Sequence, residues 1–132
     1  MQFPIIEKTI TLEKMRAYTG MHNRNIHTDP EMATGFGLGG AVAQGSQLTT
    51  ILNELMVRTF GKDYWDGGSI SVSYIKMVRP GDTVTPHAKV VEARELPDGR
   101  TAIDLKVWIE NQAGETTTAG TAKVTTHRSA AA

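Results

Sequence analysis

The hydrophobic pattern of this chain changes its period once, and that change fixes the order of its secondary structure. From Ala41 onward, residues recur at the spacing of one α-helix face, and Gly61 supplies a stop. These positions are Val42, Leu48, Ile51, Leu52, Leu55, Met56 and Thr59. Beyond Gly67 and Gly68 the period approaches two, which is typical of strands. A long helix with so broad an apolar stripe predicts burial against a sheet.

Four strand segments are expected after the helix. Ile70, Val72 and Tyr74 stand at even-numbered positions and alternate with serines, and the alternation then continues at odd-numbered positions with Ile75 and Met77. This change of phase predicts a bulge near Tyr74 and Ile75. Turn residues separate the later strands, which are expected over 84–93, 103–109 and 116–126. Consecutive strands joined by short turns predict a mostly antiparallel sheet covered by the preceding helix. The fold class is therefore α+β.

The first third of the chain carries shorter signals. A short strand is predicted from Phe3 to Ile10, and a short helix from Thr11 to Tyr18 that ends at Gly20. Thr28-Asp29-Pro30-Glu31 has the pattern of a capping box and predicts a helix over 29–34. Trp65, Tyr74 and Trp108 are expected to be packing residues rather than pocket walls.

Length and charge exclude several functional classes. The 132 residues suffice for one domain, expected over 1–128, with a flexible tail at 129–132. Fourteen basic and fourteen acidic side chains cancel, so nucleic-acid binding loses its main electrostatic support. No apolar run is long enough for a membrane helix, and cysteine is absent. We expect a cytoplasmic protein that binds neither membrane nor nucleic acid.

A polar loop and a glycine-rich loop both precede the long helix. His22 to Asp29 places two imidazoles, a guanidinium and a carboxylate within eight residues, and glycines follow up to Gly40. A helix that starts between Gly40 and Gly45 could hold a developing oxyanion at its N-terminus. Gly35-x-Gly37-x-x-Gly40 lacks the strand and acidic residue of a dinucleotide site, and the histidine spacing matches no zinc signature. Neither a cofactor nor a metal is predicted.

These segments carry a family resemblance. Asn25-Ile26-His27-Thr28-Asp29-Pro30-Glu31, then Ala41-Val42-Ala43-Gln44-Gly45 and Val78-Arg79-Pro80-Gly81-Asp82-Thr83-Val84, resemble the MaoC-like hotdog family, which includes (R)-specific enoyl-CoA hydratases. The resemblance implies a sheet wrapped around the long helix. It also implies a homodimer or higher homo-oligomer joined by strand pairing, with sites for acyl-CoA or acyl-carrier thioesters at the dimer interface.

The resemblance also implies roles for single residues. His27 stands at the family's catalytic histidine, but the family's aspartate position holds His22. The positions of its Asn-Pro pair hold Arg24 and Asn25. Gly45 falls on the glycine whose backbone N–H is the oxyanion donor. The resemblance therefore implies that His27, His22 and Gly45 are the catalytic residues.

The remaining site residues are expected to bind or orient the substrate. Gln44 replaces the usual histidine before the glycine, and Asn53 falls on a polar helix position that supports the catalytic pair. Arg24 could anchor a carboxylate or a CoA phosphate, or could only line the loop. The predicted substrate-binding residues are Arg24, Asn25, Gln44, Asn53 and Gly40.

Three functions remain open from the sequence. The first is hydration or dehydration of an enoyl or 3-hydroxyacyl thioester with His27 as acid–base. His22 would then either replace the aspartate as proton carrier or take no part in the reaction. The second is an acyl-CoA thioesterase, for which Glu54 in the long helix could supply the acid. The third is a non-catalytic acyl-binding subunit, which the loss of the aspartate favours.

Overall fold

A five-stranded antiparallel sheet lies against one long helix in the computed structural model, which describes residues 1–20 and 24–127. In chain order the elements are β1 (Lys8–Thr9), α1 (Leu12–Thr19), α2 (Pro30–Gly35), α3 (Gly45–Phe60), α4 (Lys62–Trp65), β2 (Ser69–Tyr74), β3 (Thr83–Glu95), β4 (Thr101–Glu110) and β5 (Thr116–Thr126). The strand order is β1-β3-β4-β5-β2, so β1 and β2 form the two edges. The predicted α+β class is confirmed.

The apolar stripe of α3 forms one side of the core. Leu52, Leu55 and Met56 are fully buried, and they belong to one cluster with the inward-facing residues of the sheet. These sheet residues are Val84, Ile103, Leu105, Val107, Ile109, Ala122 and Val124. Truncating one such leucine to alanine typically costs about 2–5 kcal/mol, because a cavity remains. The core therefore fixes the position of α3 and of the loop that leads into it.

Gly120 allows the edge strand β2 to join the sheet. It pairs with Val72, and a β-carbon at position 120 would lie 1.9 Å from the carbonyl oxygen of Ser71. That atom belongs to the backbone and cannot rotate away. A side chain at position 120 would therefore push β2 off β5.

Several predicted boundaries need correction. The N-terminal strand is Lys8–Thr9 rather than 3–10. The long helix begins at Gly45, the last residue of the predicted range 40–45, and residues 41–44 are extended or irregular. The cap of α2 is Asp29 rather than Thr28, since the Asp29 carboxylate accepts from the N–H groups of Glu31 and Met32.

The predicted bulge after β2 has a counterpart in the structure. The N–H groups of Ile75 and Lys76 both donate to the carbonyl of Thr117, the two-against-one contact of a bulge, and the regular strand ends there. Helix α4 and the register shift between Val90 and Glu92 were not predicted. Within the described residues, no helix has the length and apolar character needed to span a membrane.

Candidate active site

The side chain of His27 is held in one orientation by its neighbours. The Asn25 side-chain oxygen accepts from the His27 backbone N–H at 2.8 Å, and His27 Nδ1 lies 2.8 Å from the carbonyl oxygen of Val42. A carbonyl can only accept a hydrogen bond, so Nδ1 carries the proton in the neutral ring. Nε2 then carries the lone pair, and it is the atom through which His27 can accept a proton.

Tertiary hydrogen bonds hold the segment that presents the Val42 carbonyl. The Val42 N–H donates to Ile26 at 3.1 Å, and the Ala43 N–H donates to Val78 at 2.7 Å. The guanidinium of Arg79 donates to the carbonyls of Leu38 and Gly40 in the glycine-rich loop, at 3.2 Å for Gly40. Sequence reasoning missed this role of Arg79, because the two carbonyls lie about forty positions away along the chain.

An open groove of about 310 Å³ lies beside the first residue of α3. Its lining residues are Val42, Ala43, Gly45, Leu48, Tyr74, Ile75, Lys76, Met77 and Val78. Among the described residues no oxygen accepts the Gly45 N–H, which opens a helix of 16 residues. An unpaired N–H at the positive end of a helix can stabilise a negatively charged oxygen.

Tyr74 forms a wall of this groove, which corrects its prediction as a packing residue rather than a pocket wall. Its ring lies against Gly45: a β-carbon at position 45 would be 2.6 Å from two ring carbons. The Tyr74 hydroxyl lies 2.7 Å from the Thr49 hydroxyl, one helix turn further along α3. Tyr74 is 52% exposed and lines the open groove.

The two tryptophans differ in how far they pack, and neither lines the groove beside Gly45. Trp65 is 79% exposed. Trp108 is half-buried and stacks on His87 with ring centroids 5.2 Å apart.

The other predicted site residues make the following contacts. Arg24 pairs with Asp29 at 2.7 Å, and Gln44 accepts from the Thr19 hydroxyl at 3.2 Å. Asn53 accepts from the Tyr64 hydroxyl at 2.6 Å. Gly40 has φ +135°, a conformation that favours glycine, and faces Arg79. His22 lies outside the described residues.

Asp29 has a structural role that its charge supports. Its hydrogen bond with Arg24, together with the backbone N–H groups at the start of α2, holds the pKa of the Asp29 carboxyl below its ordinary value of 3.8. The carboxylate therefore remains ionised at neutral pH. It acts as the helix cap rather than as a proton carrier.

The described groove lining contains no carboxylate and no imidazole. The His27 ring is linked to the groove through Val42, which lines it, and His27 itself is not a lining residue. Glu54 lies on another face of α3 and pairs with Lys8 at 3.1 Å and Arg58 at 2.9 Å. Across residues 1–20 and 24–127, no group of three His, Asp or Glu side chains is arranged to hold a metal ion.

Comparison with known proteins assigns this architecture to a family. The family model described as a MaoC-like domain matches residues 4–112. The chain belongs to the MaoC-like dehydratase family. Comparison of the sequence with curated proteins gives no significant match.

Solved structures show the same fold. The (R)-hydratase of A. caviae involved in PHA biosynthesis aligns with TM-score 0.77 at 23% identity, over 93% of this chain and 92% of that one. A MaoC-like dehydratase from Rhodospirillum rubrum aligns with TM-score 0.77 at 23% identity, over 97% and 93%. The 3R-hydroxyacyl-ACP dehydratase complex HadBC from Mycobacterium tuberculosis aligns with TM-score 0.68 at 16% identity, over 94% and 96%. The predicted hotdog fold is confirmed, with the sheet as the wrapping layer and α3 as the central helix.

Proposed function

We propose that this MaoC-like protein hydrates enoyl thioesters, or dehydrates 3-hydroxyacyl thioesters, in the groove beside Gly45. One observation carries the proposal: Gly45, the first residue of α3, lines this groove, and its N–H has no acceptor among the described residues. The wall residue Val42 fixes the ring of His27. A candidate oxyanion donor therefore lines the groove, and the candidate proton carrier is joined to it through one wall residue.

The reaction can be written with His27 as the single proton carrier. Nε2 accepts a proton from water while the water oxygen bonds to the β-carbon of the enoyl group. Negative charge moves onto the thioester oxygen, where the Gly45 N–H and the helix dipole stabilise it. The imidazolium then returns the proton to the α-carbon, and the hydrogen bond to Val42 holds the ring throughout. Dehydration follows the same steps in reverse.

A thioester of CoA or an acyl carrier is the proposed substrate, and a second copy of this chain is the proposed partner. The groove has apolar walls at Leu48, Ile75 and Met77, which suit an acyl chain. Lys76 is the cation in the lining, although it pairs with Glu115. Strand β2 has a sheet partner on one side only among the described strands, so its other edge is available to a second copy.

The loss of conjugated-thioester absorbance, measured with enoyl-CoA substrates of several chain lengths, tests the proposal. His27→Gln should lower turnover by roughly 10²–10⁴-fold, the usual contribution of a general acid–base. His87→Gln is the matched control, because that histidine lies on β3 and stacks on Trp108. Absence of turnover at every chain length, or equal activity of the two variants, would contradict the proposal.

The absence of a carboxylate in the described groove lining favours one alternative, a non-catalytic acyl-binding subunit. Saturable acyl-CoA binding without loss of absorbance and without thiol release would support that alternative. The thioesterase hypothesis finds less support, because Glu54 lies outside the groove and is neutralised by two cations. Release of free thiol that depends on Glu54 would favour it.

A further inference from the structure

A second groove, which we call the α1–α3 groove, lies on another face of the long helix. It has a volume of about 310 Å³ and shares no lining residue with the groove beside Gly45. Its lining residues are Lys8, Ile10, Lys14, Tyr18, Gln47, Thr50, Ile51 and Glu54. Two of its elements, β1 and α1, take no part in the proposed active site.

Gln47, one of the lining residues, carries a buried acceptor without a donor among the described residues. Gln47 is 8% exposed, and its side-chain oxygen is fully buried without a hydrogen-bond partner among the described residues. Buried polar atoms in proteins are nearly always hydrogen-bonded, and an unpaired one is destabilising. An exogenous group that donates a hydrogen bond would satisfy it.

The charges around the groove favour an anion. Lys8 and Lys14 line it, and the one lining carboxylate, Glu54, is paired with Lys8 and with Arg58. Lys14 uses one donor on the Thr9 carbonyl at 2.9 Å, and an ammonium group has three. Cationic donors therefore remain for a carboxylate.

The walls between these polar groups are apolar. Ile10 and Ile51 are almost completely buried and line the groove beside the Tyr18 ring. A ligand that fits combines a short apolar body with a hydrogen-bond donor and a negative charge. Lys8 and Lys14 are the only cations in the described lining, so a large polyanion would not be neutralised there.

We propose that the α1–α3 groove is a second binding site, for a small carboxylic acid that also carries a hydroxyl group. The Gln47 side chain turns toward the groove on binding, so that the hydroxyl donates to its side-chain oxygen, and the carboxylate accepts from Lys14 and Lys8. Ile10 and Ile51 contact the carbon skeleton. The site is independent of the proposed hydratase activity, since it uses none of the residues assigned to that activity.

Amide NMR spectra of the ¹⁵N-labelled full chain, titrated with 2-hydroxyisovalerate and with isovalerate, test this proposal. The two acids share the carboxylate and the branched skeleton, and only the first has the hydroxyl. We expect saturable shifts at Gln47 and Ile51 but not at Gly45. The hydroxy acid should bind about five- to tenfold more tightly, the typical difference made by one hydrogen bond.

Gln47→Leu removes the acceptor and keeps an apolar side chain. This variant should bind the two acids equally, and it should melt at a higher temperature than the wild type when no acid is present, because an unpaired buried group is gone. Lys14→Met should weaken both acids alike. Gln2→Leu, the same exchange at an exposed glutamine, should change none of these quantities.

Three results would overturn the assignment. The first is the absence of saturable shifts at Gln47 with the wild-type protein. The second is equal affinity of the wild type for the two acids. The third is a preference for the hydroxy acid that survives in Gln47→Leu. A site filled only by water gives the first result.

Discussion

The ring of Tyr74 occupies the space that a β-carbon would need at position 45. Gly45 does not adopt positive φ, so alanine fits its backbone conformation, and the obstacle to a side chain is the ring alone. We expect Gly45→Ala to lower the free energy of unfolding by about 1–3 kcal/mol, the usual cost of overpacking. In a Tyr74→Ala background the same substitution should cost much less.

Chemical denaturation of the four proteins in this double-mutant cycle measures the coupling. Additive effects would show that Tyr74 moves away without cost. The contact would then carry no energy, and Tyr74 could not be a fixed wall of the groove.

Arg79 should matter for catalysis although it lies outside the groove lining. Lysine at position 79 lacks the planar fork that reaches the carbonyls of Leu38 and Gly40 together. We expect Arg79→Lys to lower kcat roughly ten- to a hundredfold through misplacement of the Val42 segment, with less effect on KM.

The ¹⁵N chemical shifts of the His27 ring distinguish this role of Arg79 from a merely structural one, which would leave those shifts unchanged. In the wild type Nδ1 should carry the proton at high pH, and in Arg79→Lys the two tautomers should mix. An unchanged tautomer together with lowered activity would refute the link from Arg79 to His27 through the loop.

Acid should remove the contribution of Asp29 to stability. Its pKa in the folded protein lies below the ordinary value of 3.8, so its stabilising effect is complete above that pH. The effect is lost as pH falls through the lowered pKa. Asp29→Asn keeps a capping oxygen but loses the ion pair with Arg24, so it should melt below the wild type at neutral pH.

Melting temperatures of the two proteins, followed from neutral pH to below pH 3.8, check this prediction. The difference should shrink as Asp29 becomes protonated, and high salt should shrink it at every pH. A difference that grows in acid would contradict the assignment.

The apolar surface after β2 should mediate self-association. Ile75 is 62% and Met77 53% exposed, and both follow the open edge of β2. Charges at these positions would be buried without partners in a dimer. We expect light scattering to give a dimer for the wild type and a monomer for the double variant Ile75→Glu, Met77→Glu. Val91→Glu, at an exposed residue on β3, should leave the dimer intact.

The long helix and the three long strands were predictable because their patterns repeat over many residues. The start of α3 was predictable only as a range, from Gly40 to Gly45. Residues 41–43 are small or apolar and could continue a helix, but the Ala43 N–H donates to the carbonyl of Val78 in a distant segment. Likewise Phe3 to Ile10 has a strand-like composition, yet only Lys8 and Thr9 find partners in β3. Local pattern fixes the type of an element, and tertiary hydrogen bonds fix its ends.

The candidate site was predictable in its anchor points but not in its supporting contacts. Resemblance drew attention to His27 and Gly45. The contacts of Arg79 with the loop and of Tyr74 with Gly45 join residues about thirty to forty positions apart. No short motif encodes them, and both residues have ordinary structural uses on a strand or turn.

A structure of the protein with a stable enoyl-CoA analogue tests the central claim most directly. The account predicts that the thioester oxygen lies about 2.7–3.1 Å from the Gly45 nitrogen, with His27 Nε2 within hydrogen-bonding reach of a water at the β-carbon. A thioester bound elsewhere, or a His27 ring that still contacts Val42 but faces away from the β-carbon, would contradict it.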